Sequence, residues 1–188
     1  MDSNQLKTLQ APLKQAYKED PGKALITLTA SASLESPGVS CRIETGKALV
    51  EAGLHPATGG SGLQACSGDM LLEALAACAG VTLRAVATAL DIPVRSGVVR
   101  AEGDLDFRGT LGVSKDVPVG FQRIRLRFEL DADATQEQLA SLQKLTERYC
   151  VVLQTLRSSP EITVEHMRSG GQAVGGRPTT DGSRCQRP

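Results

Sequence analysis

Apolar positions along this chain follow two spacings, close to 3.6 in two stretches and close to 2 in several others. The longest stretch is Ser67 to Leu90, SGDMLLEALAACAGVTLRAVATAL. Leu71, Leu72, Leu75, Cys78, Ala79, Thr82, Leu83, Val86 and Leu90 cover far more than one stripe, which predicts a helix buried on several sides. Ser67 reads as its N-cap, Asp69 puts a negative charge in the first turn, and Pro93 forbids helix shortly after Asp91. Gly80 inside this helix costs roughly 1 kcal/mol relative to Ala, so a second backbone is expected close by.

Before it, Ser3 to about Lys18 carries Leu6, Leu9, Leu13 and Tyr17 at helical spacing, weakened by Pro12. Lys23–Ser33 alternates as a strand, and Val39–Glu44 with Lys47–Glu51 reads as a hairpin around Thr45-Gly46. Residues 53–68, rich in glycine, read as a mobile loop; no Lys-Ser or Lys-Thr pair follows, so a phosphate loop is not indicated. After the helix, Val94–Phe107 reads as a strand with bulges or a bend at Gly97 and Gly103. Val119–Asp131 alternates Phe121, Ile124, Leu126, Phe128 and Leu130 inward with Arg123, Arg125, Arg127 and Glu129 outward. The arginine row is a solvated face, with anion binding the lesser alternative.

Thr135-Gln136-Glu137-Gln138 is a capping box. It opens a helix carrying Leu139, Leu142, Leu145, Tyr149, Val152 and Leu156 as far as Ser158-Ser159-Pro160. Glu161–Met167 reads as a last strand. The order is three strands, helix, two strands, helix, strand, an α+β pattern. Residues 1–20 form a helical extension, 21–167 the domain, and 168–188 a flexible tail rich in Gly, Pro and Arg.

At 188 residues one domain with a real core is expected. Lys and Arg number 21, as do Asp and Glu, so neither a nucleic-acid surface nor an acidic membrane surface is advertised. Aromatic residues make up 3% and Trp is absent, which argues against base-stacking platforms. Arg84 interrupts the longest apolar run, so no membrane span is expected, and the polar N-terminus lacks a signal-peptide core; a cytoplasmic location is expected. The five cysteines, Cys41, Cys66, Cys78, Cys150 and Cys185, are odd in number and widely spaced, unlike a disulfide scaffold. No Cys-x-x-Cys or His-x-x-x-His spacing exists, and His55 and His166 read as surface residues, so neither metal nor bound cofactor is expected.

Cys78 in LLEALAAC and Cys150 in ERYC, set on two helices in this element order, resemble the OsmC/Ohr family of thiol-dependent peroxidases over roughly Lys23 to Met167. The resemblance implies an intertwined homodimer with antiparallel sheets wrapped around two central cysteine-bearing helices, and sites at the subunit interface. It implies that Cys78 attacks a small organic hydroperoxide and becomes a sulfenic acid. Cys150 then resolves it as a disulfide, which an external dithiol or lipoyl-type reductant reduces.

Physical chemistry poses a difficulty for that chemistry. Cys78 is mid-helix among Ala74, Leu75, Val81 and Thr82, where desolvation raises a thiol's pKa. The family resemblance supplies an arginine from the N-terminal sheet, here Arg42, held by a glutamate about ten residues before the cysteine. In this chain Gly68 stands there and the usual Pro-Glu is replaced by Ser67-Gly68; Asp69 is the available substitute. Glu147 and Arg148 beside Cys150 form another candidate pair, while Glu73 faces away from Cys78. A non-enzymatic OsmC-like module binding an apolar or electrophilic small molecule at the dimer interface is the alternative reading.

Overall fold

The computed structural model describes residues 49–112 and 114–167 continuously, with 31–33, 40–44, 173–174 and residues 2–5, 8, 10, 11, 15 and 19 besides. The predicted tail therefore lies almost wholly outside the described residues, as do most of the Lys23–Ser33 strand and the Thr45-Gly46 turn. The described positions of residues 3–19 are helical, and Asp2 and Gln5 cap each other reciprocally at its start.

Strands β1 (Ser31–Ser33), β2 (Ser40–Glu44), β3 (Leu49–Gly53) and β4 (Ala65–Cys66) form one sheet in that order. The first two pairings are antiparallel, and β3 with β4 is parallel. The expected hairpin is therefore present, while the loop after it holds a helical turn at Pro56–Thr58 and ends by adding β4. Helix α1 (Ser67–Ala89) follows directly. Its N-cap is Cys66, in extended dihedrals and without a side-chain cap bond, not Ser67, which is already helical.

Strands β5 (Val94–Asp104) and β6 (Arg123–Ala132) form a long antiparallel ribbon against α1. β5 stops three residues earlier than its apolar run suggests. Asp106 caps a single helical turn, α2 (Phe107–Thr110), by accepting the Arg108 N–H. The irregularity in β5 lies between Val94 and Ser96. Gly97 and Gly103 instead allow close approach: a Cβ on Gly97 would sit 2.7 Å from the Glu129 carbonyl oxygen, and one on Gly103 2.5 Å from the Phe121 ring. Two of the outward arginines are paired across the ribbon, Arg125 with Glu102 and Asp104 and Arg127 with Glu102, and Arg100 of β5 pairs with Glu129. Such exposed pairs add little stability.

Helix α3 (Gln136–Tyr149) opens with the expected capping box, Thr135 accepting the Gln138 N–H while the Gln138 side chain accepts the Thr135 N–H. The predicted single helix to Leu156 is broken, however. Cys150 takes an extended conformation, φ −72° and ψ 104°, and a separate helix α4 (Val151–Arg157) begins after it. The interruption frees the Glu147 carbonyl, which accepts the Gln154 side-chain amide at 2.6 Å.

The chain divides into two units, Met1–Gln154 and Thr155–Pro188. In the second, residues 159–165 have no regular structure and strands β7 (His166–Met167) and β8 (Ala173–Val174) pair. The expected strand Glu161–Met167 is thus reduced to its last two residues.

The core of the first unit lies where α1, α3 and the ribbon meet, with Leu83, Ala87, Ile92 and Leu142 packed together against Val86, Phe128 and Leu130. α1 buries one stripe, Leu75, Ala79, Leu83 and Ala87, rather than several sides. Ala74, Ala77 and Ala85 are exposed, and Val81 is 72% exposed. Nor does Arg84 interrupt its apolar character: α1 is long and apolar enough by length and composition to cross a membrane, a property that core helices share, with mean hydropathy 1.6 in its best window.

Gly80 faces the Val99 side chain, 3.7 Å from where a Cβ would lie, and not a second backbone. Gly80→Ala is therefore expected to raise the unfolding free energy by roughly 0.5–1 kcal/mol. Gly97→Ala is expected to lower it, because a carbonyl oxygen blocks the added methyl. Urea unfolding of the two variants checks both signs.

Candidate thiol site

Two helices bring the site together. Cys78 lies near the middle of α1, one position before the buried Ala79. Leu142 packs with Leu83 and Ala87 near the far end of α1, and Cys150 meets Cys78, so α3 runs antiparallel to α1 and delivers the residue at its C-cap to the cysteine. The Cys78 and Cys150 thiols are neighbours that act on each other electrostatically. Cys150 is fully buried, whereas Cys78 is partly open.

The break at Cys150 supplies donors to the site. The first N–H groups of any helix lack an intrahelical partner, and here two of them point at a sulfur. Burial pushes the Cys78 thiol up, but the N–H of Val152, the Cys150 thiol, the Thr82 hydroxyl and the N–H of Val151 together bring it below its usual value. A thiolate beside a helix N-terminus is stabilised in the same way. Burial pushes Cys150 the other way and the neighbouring Cys78 adds to the rise, only partly offset by the N–H groups of Leu153 and Val152. The two thiols are thereby separated in role: Cys78 ionises first.

Among the described residues, the groups that lower Cys78 are neutral. Arg42 lies on β2, in register with Glu51 of β3 and Ser33 of β1; its side chain is outside the described residues. Asp69 is exposed, nine residues before Cys78 on the same helix. At 1.5 Å per residue that places it about 13 Å away along the axis, so it does not meet Cys78 of its own chain. Arg148 packs over the Tyr149 ring, 5.5 Å from its centre, and the Glu147 carboxylate accepts the Gln143 amide; neither takes part in holding Cys78. Glu73 is exposed, as expected from its place on the helix.

Asp69 belongs to a different feature, a cavity of about 430 Å³ at the other end of α1. Leu54, His55, Cys66, Leu72, Phe107 and Phe121 contribute to its walls. His55 stacks on Phe107 with ring centres 4.8 Å apart, and its Nδ1 accepts the Ala57 N–H. It is thus half-buried and ordered, not a free loop residue. No grouping of three or more His, Cys, Asp or Glu suited to a metal occurs among the described residues.

Of the residues that act on Cys78, Thr82 is visible in the sequence as a polar residue one turn away. The backbone N–H groups of Val151 and Val152 are not, because any residue type carries them; an interruption of helix at Cys150 is the missing signal.

The family model described as OsmC-like protein matches residues 60–165, more than half of the chain. The chain belongs to the OsmC-like family. A comparison with curated proteins returns no match. Among solved structures, it is similar to an OsmC-like protein from Mycoplasma pneumoniae, at 17% identity and TM-score 0.60, covering 71% of this chain and 89% of that one. An OsmC-like protein of unknown function from Vibrio cholerae aligns at 14% identity and TM-score 0.57, over 70% and 94%. An organic hydroperoxide resistance protein from Elizabethkingia anophelis aligns at 17% identity and TM-score 0.54, over 72% and 91%. At these identities the likeness shows the OsmC-like fold, and the mixed helices and small sheets are those of an α+β protein.

Removing one donor from Cys78 is expected to raise its pKa. Proline is favoured at the first position of a helix and Val151 is 71% exposed, so Val151→Pro deletes an N–H without disturbing packing. Val151→Pro and Thr82→Val are each expected to slow iodoacetamide alkylation of Cys78 at neutral pH by about three- to tenfold. Rates followed against pH, with the alkylated peptide identified by mass, check this.

Proposed function

We propose that this protein is a thiol-dependent peroxidase that reduces organic hydroperoxides, with Cys78 as the attacking thiolate and Cys150 as the resolving thiol. The observation that carries the reading is the pair of neighbouring thiols, one brought below its usual pKa by backbone and hydroxyl donors and the other raised beside it by burial. Family membership supports it, and so does the organic hydroperoxide resistance protein among the similar structures.

In the first step the Cys78 thiolate attacks the terminal peroxide oxygen and the O–O bond breaks. The alcohol leaves after taking up a proton, and Cys78 becomes a sulfenic acid. Cys150 then loses its proton, attacks the Cys78 sulfur and displaces the hydroxyl as water, leaving a disulfide. An external dithiol or lipoyl-type reductant returns both thiols. The exposed apolar surface beside Cys78, with Ala74, Ala77 and Val81 on α1 and Tyr149 and Val151 next to Cys150, suits an alkyl chain better than it suits hydrogen peroxide.

The same surface is the reason for proposing a homodimer. An uncovered row of apolar residues on the central helix calls for a partner, and a second copy is the occupant that family membership suggests. In this reading Arg42 is the cation that steadies the Cys78 thiolate, and Asp69, in place of the family's glutamate, holds that arginine. Gly68, in place of the family's glutamate, favours a second reading in which the interface holds an apolar or electrophilic small molecule without turning it over.

Consumption of cumene hydroperoxide with dithiothreitol or dihydrolipoamide distinguishes the readings. Cys78→Ser is expected to lose turnover by a factor of at least about a hundred, and Cys150→Ser to accumulate a dimedone-reactive sulfenic acid. Equal turnover by wild type and Cys78→Ser rejects the peroxidase. Saturable thermal stabilisation by an apolar ligand with no loss of peroxide supports the binding module.

A further inference from the structure

Thr146 is fully buried, and its Oγ1 has no hydrogen-bond partner among the described residues. A threonine within a helix normally avoids this by donating to the carbonyl four residues back. Thr88 does so towards Arg84, at 2.8 Å, and Thr8 towards Asn4. Thr146 leaves that option unused, and an unpaired hydroxyl in an apolar core is costly to keep. Its place on the helix gives a reason for it. Cys150 follows one turn later, with its N–H bonded to the Thr146 carbonyl at 3.0 Å, and both side chains are wholly enclosed. Residues four apart share one helix face with Cβ atoms about 5–6 Å apart, so Thr146 and Cys150 are neighbours on the enclosed face of α3. Threonine in a helix has two accessible χ1 rotamers, which lets the hydroxyl be turned without moving the backbone.

We propose that Thr146 is a positioning residue for Cys150: its hydroxyl stays unpaired in the dithiol state and donates to the Cys150 sulfur once that sulfur ionises to attack Cys78. The inference rests on the assignment of Cys150 as the resolving thiol, but not on peroxide as the oxidant. Deprotonated Cys150 carries a full negative charge in a closed apolar site, where the Leu153 and Val152 N–H groups are its only other donors among the described residues. A third donor that is idle beforehand favours the ionised state selectively, because it adds nothing to the protonated one.

An aryl disulfide separates the two cysteine steps. With the other cysteines replaced by serine, one equivalent of 5,5′-dithiobis(2-nitrobenzoate) forms a mixed disulfide at Cys78 and releases one thionitrobenzoate. The Cys150 thiolate then attacks the Cys78 sulfur, closes the protein disulfide and expels the second thionitrobenzoate. Thr146→Val is expected to slow the second release about tenfold, the factor for one hydrogen bond to a charged sulfur, while the first release keeps its rate. It is also expected to raise the thermal midpoint of the dithiol protein, since a methyl replaces an unpaired hydroxyl. Thr146→Ser is expected to restore the second release. An unchanged second release, an equal slowing of both, a lowered thermal midpoint in Thr146→Val, or a wild type that never gives the second release overturns the proposal. Two releases with the aryl disulfide but no reaction with cumene hydroperoxide would instead reject the peroxidase and leave the role of Thr146 standing.

Discussion

The site depends on one interrupted helix. Had α3 continued through Cys150, the N–H groups of Val151 and Val152 would have been consumed within it, bonded to carbonyls one turn back. The extended conformation of Cys150 releases them, and the restarted helix α4 turns them towards the Cys78 sulfur. The same break places the Cys150 sulfur at the head of α4, where it accepts from Val152 and Leu153 in the manner of an N-cap side chain. Breaking a helix exposes carbonyls as well as amides, and Gln154 answers part of that by bonding back to Glu147. A single backbone irregularity thus turns N–H donors towards both thiols, while burial raises Cys150 above its neighbour.

Neutral donors and a cation solve the problem of a buried thiolate differently. A guanidinium brings its own desolvation cost and must be held in place by an acid. Backbone N–H groups at a helix start are fixed by the fold and need no counterion. Among the described residues of this chain neutral donors act on Cys78, while Asp69 stands about 13 Å away along α1 and faces the cavity with Cys66 and His55. One helix therefore carries two separate environments, a thiol pair at its middle and an apolar cavity at its beginning.

Much of the scaffold was legible from apolar spacing. The limits of α1, the hairpin of β2 and β3, the outward arginines of β6 and the Thr135 capping box all rest on local chemistry that a sequence displays. Three things were not. The apolar repeat runs on through Tyr149, Val152 and Leu156, so periodicity continues where the backbone does not. β5 ends at Asp104 because Asp106 caps a new turn, a local competition that alternation alone does not show. The extent of burial of α1 was overread, since an all-apolar helix looks alike whether its second side meets its own chain or something else. For the site, both cysteines were visible and the helix of Cys78 was legible, but Cys150 falls at a break instead of within a helix, and half of the groups acting on Cys78 are backbone, which no residue letter records.

The account's central claim is that Cys78 and Cys150 of one chain form a single working pair. The most direct measurement is peptide mapping by mass spectrometry after one equivalent of organic hydroperoxide has been added to the fully reduced protein. The account predicts one dominant cross-link, Cys78 to Cys150 within a chain, with Cys66 still free. A persistent dithiol, or a link that joins Cys78 to Cys66 or to another chain, would contradict it.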